Sequence, residues 1–410
     1  MNNTCIAILV GLVAVVTSAV MFPLALGFAK KHGIVDNPNA RKLQRVPVPV
    51  FGGVVVYSGI LVGGLVLQMI MPNTMLMWGL LAMTVMMIIG TWDDMKDLSA
   101  TLRFAIEILL VGSFITITGV YIDDLHGLWG FHELSPWFGI PFSIFTGVGI
   151  INAVNLIDGV DGYSSGYGML ACFCFAMAFW SSWSPVMVCM AIVVIGALFP
   201  FFLHNVFGAK SKMFIGDGGT LMLGMMMVVM SFYALSSTGS LDAMETKGIC
   251  IPAFVAAVLC IPVFDTLRVM TLRILRGRSP FKPDKTHLHH LFIDMGFSHL
   301  GAALFILFIN AMVVLVWVLT WQMGWSIDAQ FYTVVILGFL VTFGFYKFMK
   351  VQQNGGHIDE EGYPEGSVIW FAMCKVGNWT HREKKRSWAI MRELMDGPLL
   401  GGVNFKGKDV

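Results

Sequence analysis

Ile150-Ile151-Asn152-Ala153-Val154-Asn155-Leu156-Ile157-Asp158-Gly159-Val160-Asp161-Gly162 is the stretch on which the fold turns. It starts as the end of an apolar run and finishes in two amides and two Asp-Gly pairs. The same junction recurs elsewhere. Asp93-Asp94-Met95-Lys96-Asp97 follows the run ending in Ile88-Ile89-Gly90, and Gly216-Asp217-Gly218-Gly219-Thr220 opens another apolar run. A fourth polar group, His287-Leu288-His289-His290, lies in the most basic loop between apolar segments. Apolar segments of about 20 residues are long enough to cross a bilayer as helices. A chain that repeats them and confines its carboxylates, amides and histidines to their ends reads as an all-α polytopic membrane protein.

Composition agrees with that reading. Of 410 residues, 57% are hydrophobic and 12% charged, against about 25% charged in soluble domains. The net charge of +1 conceals a separation of sign along the chain, and no nucleic-acid partner is expected. The seven cysteines, Cys5, Cys172, Cys174, Cys189, Cys250, Cys260 and Cys374, fall mostly inside apolar segments and form no CxxC pair. They read as small apolar residues rather than as a zinc site or a disulfide framework. The N-terminus lacks the basic region of a cleaved signal peptide, so residues 5–27 read as the first span.

About eleven transmembrane helices are expected, centred near residues 16, 60, 83, 111, 146, 175, 195, 226, 260, 310 and 340. With the N-terminus outside and the C-terminus cytoplasmic, the inner loops collect nearly all Lys and Arg. The outer loops hold only Lys247, beside Asp123, Asp124, Glu133, Asp242, Glu245 and Asp328. This is the asymmetry of the positive-inside rule, and it puts all four polar clusters on the cytoplasmic side. A charge at the bilayer centre costs about 2.5–3.5 kcal/mol on insertion scales, so charges at helix ends avoid most of that cost. Glu107 is the exception and reads as an i, i+4 partner of Arg103 near the interface rather than a proton relay. Residues 1–350 form the transmembrane domain that carries the clusters. Residues 351–410 form a cytoplasmic tail, acidic and Gly-rich at 357–365 and basic at 381–386, to which no chemistry is assigned. Its Trp370, Trp379 and Trp388 suit an amphipathic surface helix; a disordered or locally packed tail fits as well.

Each cluster has a chemical and a plain reading. Asp93 and Asp94, as adjacent carboxylates, suit a hard cation or a proton; plainly read, they end a helix in water. Arg103 lies where it can meet an anionic lipid headgroup. Asn152, Asn155, Asp158 and Asp161 offer oxygen ligands for magnesium or acceptors for ribose and base, on a backbone that the glycines keep tight. The competing reading is an Asx-turn loop. At Gly216-Asp217-Gly218-Gly219 the backbone N–H groups and positive helix end suit phosphate oxygens, with Asp217 holding a bridging cation; an N-capping Asp is the alternative. Around Arg273, Arg276, His287, His289 and His290, crowded Arg argues against zinc and for donors to diphosphate or sugar hydroxyls. A membrane-surface role for these basic residues is the alternative.

Taken together, these residues resemble the polyprenyl-phosphate N-acetylhexosamine-1-phosphate transferases, and within them the WecA-type branch that uses UDP-N-acetylglucosamine rather than the MraY branch. The resemblance runs from about residue 30 to 300 through ordered motifs: Asp36 to Lys42 with Gly52-Gly53, Asp93-Asp94, Asn152 to Gly162, Gly216-Asp217, and Arg273 to His290. It implies an enzyme of the bacterial inner membrane, with its active site on the cytoplasmic side, that moves N-acetylhexosamine-1-phosphate (GlcNAc-1-phosphate as the first choice) from a UDP-sugar to undecaprenyl phosphate. UMP leaves and cell-envelope polysaccharide synthesis begins. It also implies Mg2+ or Mn2+, held by Asn155 and Asp217. Asp93 and Asp94 correspond to the pair that handles the lipid phosphate, Asp158 and Asp161 to a pair near nucleotide and metal, and His287, His289 and His290 to the sugar-diphosphate end. Arg103, Asn152, Arg273 and Arg276 are expected to bind substrate. Direct transfer and an aspartyl intermediate both stay open, as does a homodimer. Departures from the family pattern are Gln44 in place of His, Gly218-Gly219-Thr220 in place of Ala-Gly-Ser, and Tyr163 in place of Leu.

Two rivals stand against this reading. An intramembrane prenyltransferase using Mg-diphosphate would need two matched carboxylate motifs, whereas the second motif here is Asn/Asp-Gly. A membrane transporter would place polar groups near the bilayer midplane, often on repeated halves; this sequence keeps them at the edge and shows no internal repeat.

Overall fold

In hydrocarbon a backbone N–H or C=O finds a partner only within its own helix, so long apolar segments fold as helices. The computed structural model describes residues 2–37, 46–96, 98–182, 184–239, 241–280, 286–354, 368–386 and 389–396. Asp97, Lys42, Gln44, Trp388 and the acidic 357–365 stretch lie outside the described residues. The chain opens with α1 (Asn3–His32), an antiparallel pair of two-residue strands, β1 (Val35–Asp36) and β2 (Val48–Pro49), α2 (Gly52–Ile70), α3 (Thr74–Lys96) and α4 (Ala100–Thr118). There follow α5 (Pro136–Asn155), α6 (Tyr163–Ser181), α7 (Pro185–Phe207), α8 (Gly216–Ala234), a short α9 (Asp242–Glu245), α10 (Ile251–Val258) and α11 (Cys260–Leu275). The last elements are α12 (Leu288–Asp294), α13 (His299–Gln322), α14 (Ile327–Phe339), α15 (Phe345–Asn354), α16 (Val368–Arg386) and α17 (Ala389–Asp396). The fold is an all-α, multi-pass membrane architecture.

Among the described residues nine helices are long and apolar enough to cross a membrane, and the pair α10–α11 makes ten if it counts as one span. The helix α6 occupies the place expected for a further span but is not among those nine. The centre of the bundle is α8, which packs against α2, α3 and α5 and is buried along nearly its whole length. Its sequence explains why. Met222, Met225, Met226, Met227 and Met230 leave it apolar on every side, the pattern of an interior helix. Small residues set the close approaches around it, as is usual between membrane helices. A Cβ at Gly90 of α3 would lie 2.5 Å from the Asp217 carbonyl and the Gly218 nitrogen, and one at Gly224 2.7 Å from the Ile151 backbone.

The segment near residue 260, expected as one span, is bent by 72° between α10 and α11. Pro262, near the start of α11, lacks the N–H that would bond the preceding turn. Asn310 of α13 repairs the break: its Nδ2 donates to the Val258 carbonyl (3.2 Å) and its Oδ1 accepts from Ile261 N (3.0 Å). The bend aims Asp265 and Arg268 at the same end of the bundle as the other polar clusters.

Candidate active site

At the end of α3, Asp93 accepts from Leu98 N (2.7 Å) and faces Arg103 Nη1 (3.1 Å), closing the turn into α4. Arg103 also lies 3.6 Å from Asp217 Oδ2 and from Glu107 Oε1, and its Nη2 approaches Asn152 Oδ1 at 3.5 Å. Glu107 is fully buried and accepts from Asn152 Nδ2. The expected Arg103–Glu107 pair is present. Arg103, expected to meet a lipid headgroup, faces the carboxylates of Asp93, Glu107 and Asp217.

The adjacent carboxylates of α3 point to different partners. Asp94 accepts from the backbone N–H of Asp217 (3.0 Å) and Gly218 (3.3 Å) at the start of α8. This corrects the expectation that those N–H groups receive a phosphate oxygen: the Asp94 carboxyl already accepts from them. Gly216 makes the approach possible, because its φ of +71° is open to glycine and a side chain there would run into Asp94. Asn155, one turn beyond Asn152 on α5, donates Nδ2 to Asp217 Oδ1 (3.0 Å) and to Thr220 Oγ1 (2.9 Å). The two expected metal ligands are therefore side by side.

In the loop after α5, Asp158 accepts from Ser164 Oγ (2.8 Å). The protein packed around Asp158 pushes its carboxyl up to about 7, against the Ser164 bond and with help from Asp217 and Asp161. Its outer face still meets solvent, which screens part of that effect. Asp161 goes the other way. Burial alone would raise it, but His299 (3.1 Å) and Lys212 (2.6 Å) outweigh burial and hold the carboxyl below its ordinary range. Asn205 fastens the loop by accepting from Gly162 N (2.6 Å) and donating to the Met213 carbonyl (3.0 Å).

The histidine motif joins the same loop. The His289 ring lies against Gly159, where any side chain would collide with it. Burial, with His290 and His287 beside it, drives the His289 pKa well down, so the ring is neutral. His287 and His289 stack in parallel planes with centroids 5.9 Å apart, and His290 lies 4.3 Å from His289. Asp265 orients the motif by pairing His287 Nδ1 (2.9 Å), the Leu288 N–H (3.2 Å) and Arg268 (2.7 Å). Arg268, fully buried, also donates to the Thr286 carbonyl (2.5 Å) and stands over the Tyr346 ring. Arg273 donates to the Pro280 carbonyl (2.6 Å) and Arg276 to the Tyr346 hydroxyl (2.8 Å), bonds that tie both to the basic loop and the last span.

Residues 76–235 match the family model described as glycosyl transferase family 4. A protein of Escherichia coli (strain K12) named undecaprenyl-phosphate alpha-N-acetylglucosaminyl 1-phosphate transferase is 31% identical over 275 residues, covering 66% of this chain and 72% of the relative. The chain belongs to glycosyl transferase family 4. Proteins of the same name from Salmonella typhi (28% identical over 279 residues; 67% and 73% covered) and Yersinia pestis (26% over 321; 76% and 84% covered) are also similar to it.

For a family 4 member the chemistry of the donor set bears on the metal. Among the described residues no three His, Cys, Asp or Glu groups converge as a ready cage. Magnesium needs none, since it is commonly held by one or two carboxylates together with waters and substrate phosphates. In one bowl Arg103 faces Asp93, Glu107 and Asp217, Asp94 accepts from the backbone N–H of Asp217, and Asp158 is close enough to Asp217 to feel its charge. That bowl is negative, lined by hard oxygen, and fits such a cation. Asp265, Lys212, His299 and Asn205 were missing from the sequence reading. Asp265 carried a signal, a carboxylate three residues before Arg268 inside an apolar run; the other three had none, because only the fold brings them to Asp161 and Gly162.

Proposed function

We propose that the chain transfers N-acetylglucosamine-1-phosphate from UDP-N-acetylglucosamine to undecaprenyl phosphate, releasing UMP and starting envelope polysaccharide synthesis. Its family 4 relatives are named undecaprenyl-phosphate alpha-N-acetylglucosaminyl 1-phosphate transferases, which supports the acceptor and the group transferred. The observation that carries it is Asp217 at the first turn of α8, which faces Arg103, accepts from Asn155 and donates its backbone N–H to Asp94, with Asp93 on the same guanidinium, all at one end of an apolar helix bundle where a lipid phosphate and a water-soluble sugar nucleotide can reach the same place. Prenyl transfer and transport are set aside on the same ground, since neither accounts for this family.

In the proposed reaction an oxygen of the acceptor phosphate attacks the β-phosphorus of the donor. The bond from that phosphorus to the bridging oxygen breaks, and UMP departs with its electrons. With a second phosphate pKa near 6, much of the acceptor is already dianionic at pH 7, so it needs positioning more than a base. Asp217 and Asn155 would hold Mg2+ or Mn2+, which when bound neutralises phosphate charge. Arg103 supplies donors fixed by Asp93 and Glu107, and the His287–His290 face supplies imidazoles to the sugar-diphosphate end. Eleven spans, an outer N-terminus, a cytoplasmic C-terminus and a bacterial inner-membrane setting complete the proposal. So does the division into a 1–350 catalytic domain and a 351–410 tail. The basic residues on inner loops support that orientation.

The test is UMP release by detergent-purified protein given undecaprenyl phosphate, magnesium and one UDP-sugar at a time. Release with UDP-N-acetylglucosamine, abolished by EDTA, supports the proposal. Release with another UDP-N-acetylhexosamine keeps the reaction and changes the sugar; folded protein that releases none overturns it. Asp217→Asn and Asn155→Ala are each expected to slow turnover about a hundredfold or more, the scale for losing a main charge stabiliser, and to alter the magnesium concentration needed.

A further inference from the structure

The tail has no part in the chemistry so far, yet α16 and α17 dock at the site end of the bundle, α17 on α7 and α16 on α13. The last residue of α17, Asp396, accepts three successive backbone N–H groups: Ala209 (3.1 and 3.2 Å to its two oxygens), Lys210 (2.9 Å) and Ser211 (2.9 Å). The buried Ser211 hydroxyl donates to it as well (3.0 Å). Successive N–H groups aimed at one point form a nest for an anion, and bonds to an ionised acceptor are about twice as strong as neutral ones.

What that anchor holds lies one residue further on. Lys212 follows the nest directly and reaches Asp161 at 2.6 Å. The second partner of Asp161, His299 at 3.1 Å, opens α13. Its neighbours Ser298 and Gly301 are gripped by α16: Ser298 N donates to Thr380 Oγ1 (3.0 Å), and a Cβ at Gly301 would lie 2.7 Å from that hydroxyl. Each of the two side chains that hold Asp161 is therefore flanked by a contact with the tail. Among the described residues Asp158 also faces Asp161, and the two carboxyls repel when both are ionised.

We propose that α16 and α17 act as a strap, anchored at Thr380 and Asp396, that positions His299 and Lys212 on Asp161. Asp396 is then a positioning residue for the active site, acting through the 208–212 loop. The inference rests on the preceding reading in one respect, that Asp161 serves the transfer reaction.

The experiment uses full-length protein in detergent, with hydrogen exchange of the 208–212 segment and UMP release measured across pH. Asp396→Ala is expected to speed exchange at residues 209–211 and to lower kcat about tenfold, the scale of one charge-assisted bond. It should also move the acid limb of kcat to higher pH, because Asp161 loses Lys212. Asp396→Glu should restore all three. Thr380→Val, at the other anchor, should shift the acid limb the same way, and it carries the test if Asp396→Ala does not fold. Adding Asp396→Ala to Lys212→Met should cost little beyond Lys212→Met alone. Unchanged exchange overturns the strap, and so does faster exchange with an unmoved kcat and acid limb while Asp161→Asn is slow. Full activity in Asp161→Asn removes the role of Asp161 and the strap with it.

Discussion

Arg103 faces Asp93 at 3.1 Å and Asp217 and Glu107 at 3.6 Å, so one guanidinium answers three carboxylates. Removing it strands Glu107, which has no exposure to water, and breaking a buried pair by deleting one partner typically costs about 3–5 kcal/mol. Arg103→Met should therefore lower the melting temperature and turnover together. Adding Glu107→Gln should return the melting temperature but not the turnover; recovery of both would reduce Arg103 to a structural role. Asp158 offers a second test at this scale. Its folded pKa, about 7, lies above its ordinary value, so the folded state binds a proton that the unfolded state has released. The stability this gives is complete at low pH and is lost as pH rises through about 7. Asp158→Asn should gain stability relative to the parent between pH 5 and pH 8, in thermal melts run at both. Asp161, held below the ordinary range, follows the opposite rule: its contribution is present at neutral pH and lost on acidification.

At the scale of elements, the site depends on how closely α3 and α8 approach. Gly90 presents no side chain to the first turn of α8, and this lets Asp94 reach the N–H groups of Asp217 and Gly218. Gly90→Ala would put a methyl 2.5 Å from backbone that cannot swing aside. Overpacking of this kind costs about 1–3 kcal/mol, and the shift should separate Asp94 from α8. The expected result is a lower melting temperature in detergent with a larger loss of kcat than of donor affinity, read from UMP release against UDP-sugar concentration. An unchanged rate would show that the site tolerates movement of α8. The bend between α10 and α11 has the same logic. Pro262 and Asn310 redirect the backbone, and the redirected helix carries Asp265 to His287. The Asp265→Asn variant tests this, since a neutral side chain would orient His287 and Arg268 poorly.

For the whole molecule, the polar ends of α3, α4, α5, α7, α8 and α13 come together on one face, and the acidic loops bearing Asp123, Asp124 and Glu245 lie with the opposite helix ends. In the proposed orientation, Glu133→Cys should react with a membrane-impermeant maleimide on intact cells. Lys210→Cys should react only after permeabilisation, and the reverse labelling would invert the topology. Much of this was legible in the residues alone. Apolar length fixed the helices, because a spanning backbone must satisfy its own hydrogen bonds, and the cost of buried charge fixed Asp93, Asp158, Asp217 and His289 at helix ends. Asn155 beside Asp217 was expected and is found, 3.0 Å apart. The local periodicity of a sequence does not carry the partners. That Asp94 would cap α8 rather than leave it open to phosphate, that Lys212 and His299 would share Asp161, and that Asp396 would anchor the tail beside them depend on contacts between residues 51 to 187 positions apart. The sequence alone determined which groups gather at the membrane edge. Only the tertiary structure decided which carboxylate meets which cation, because that is set by how closely glycine-lined helices pack and by where one helix bends.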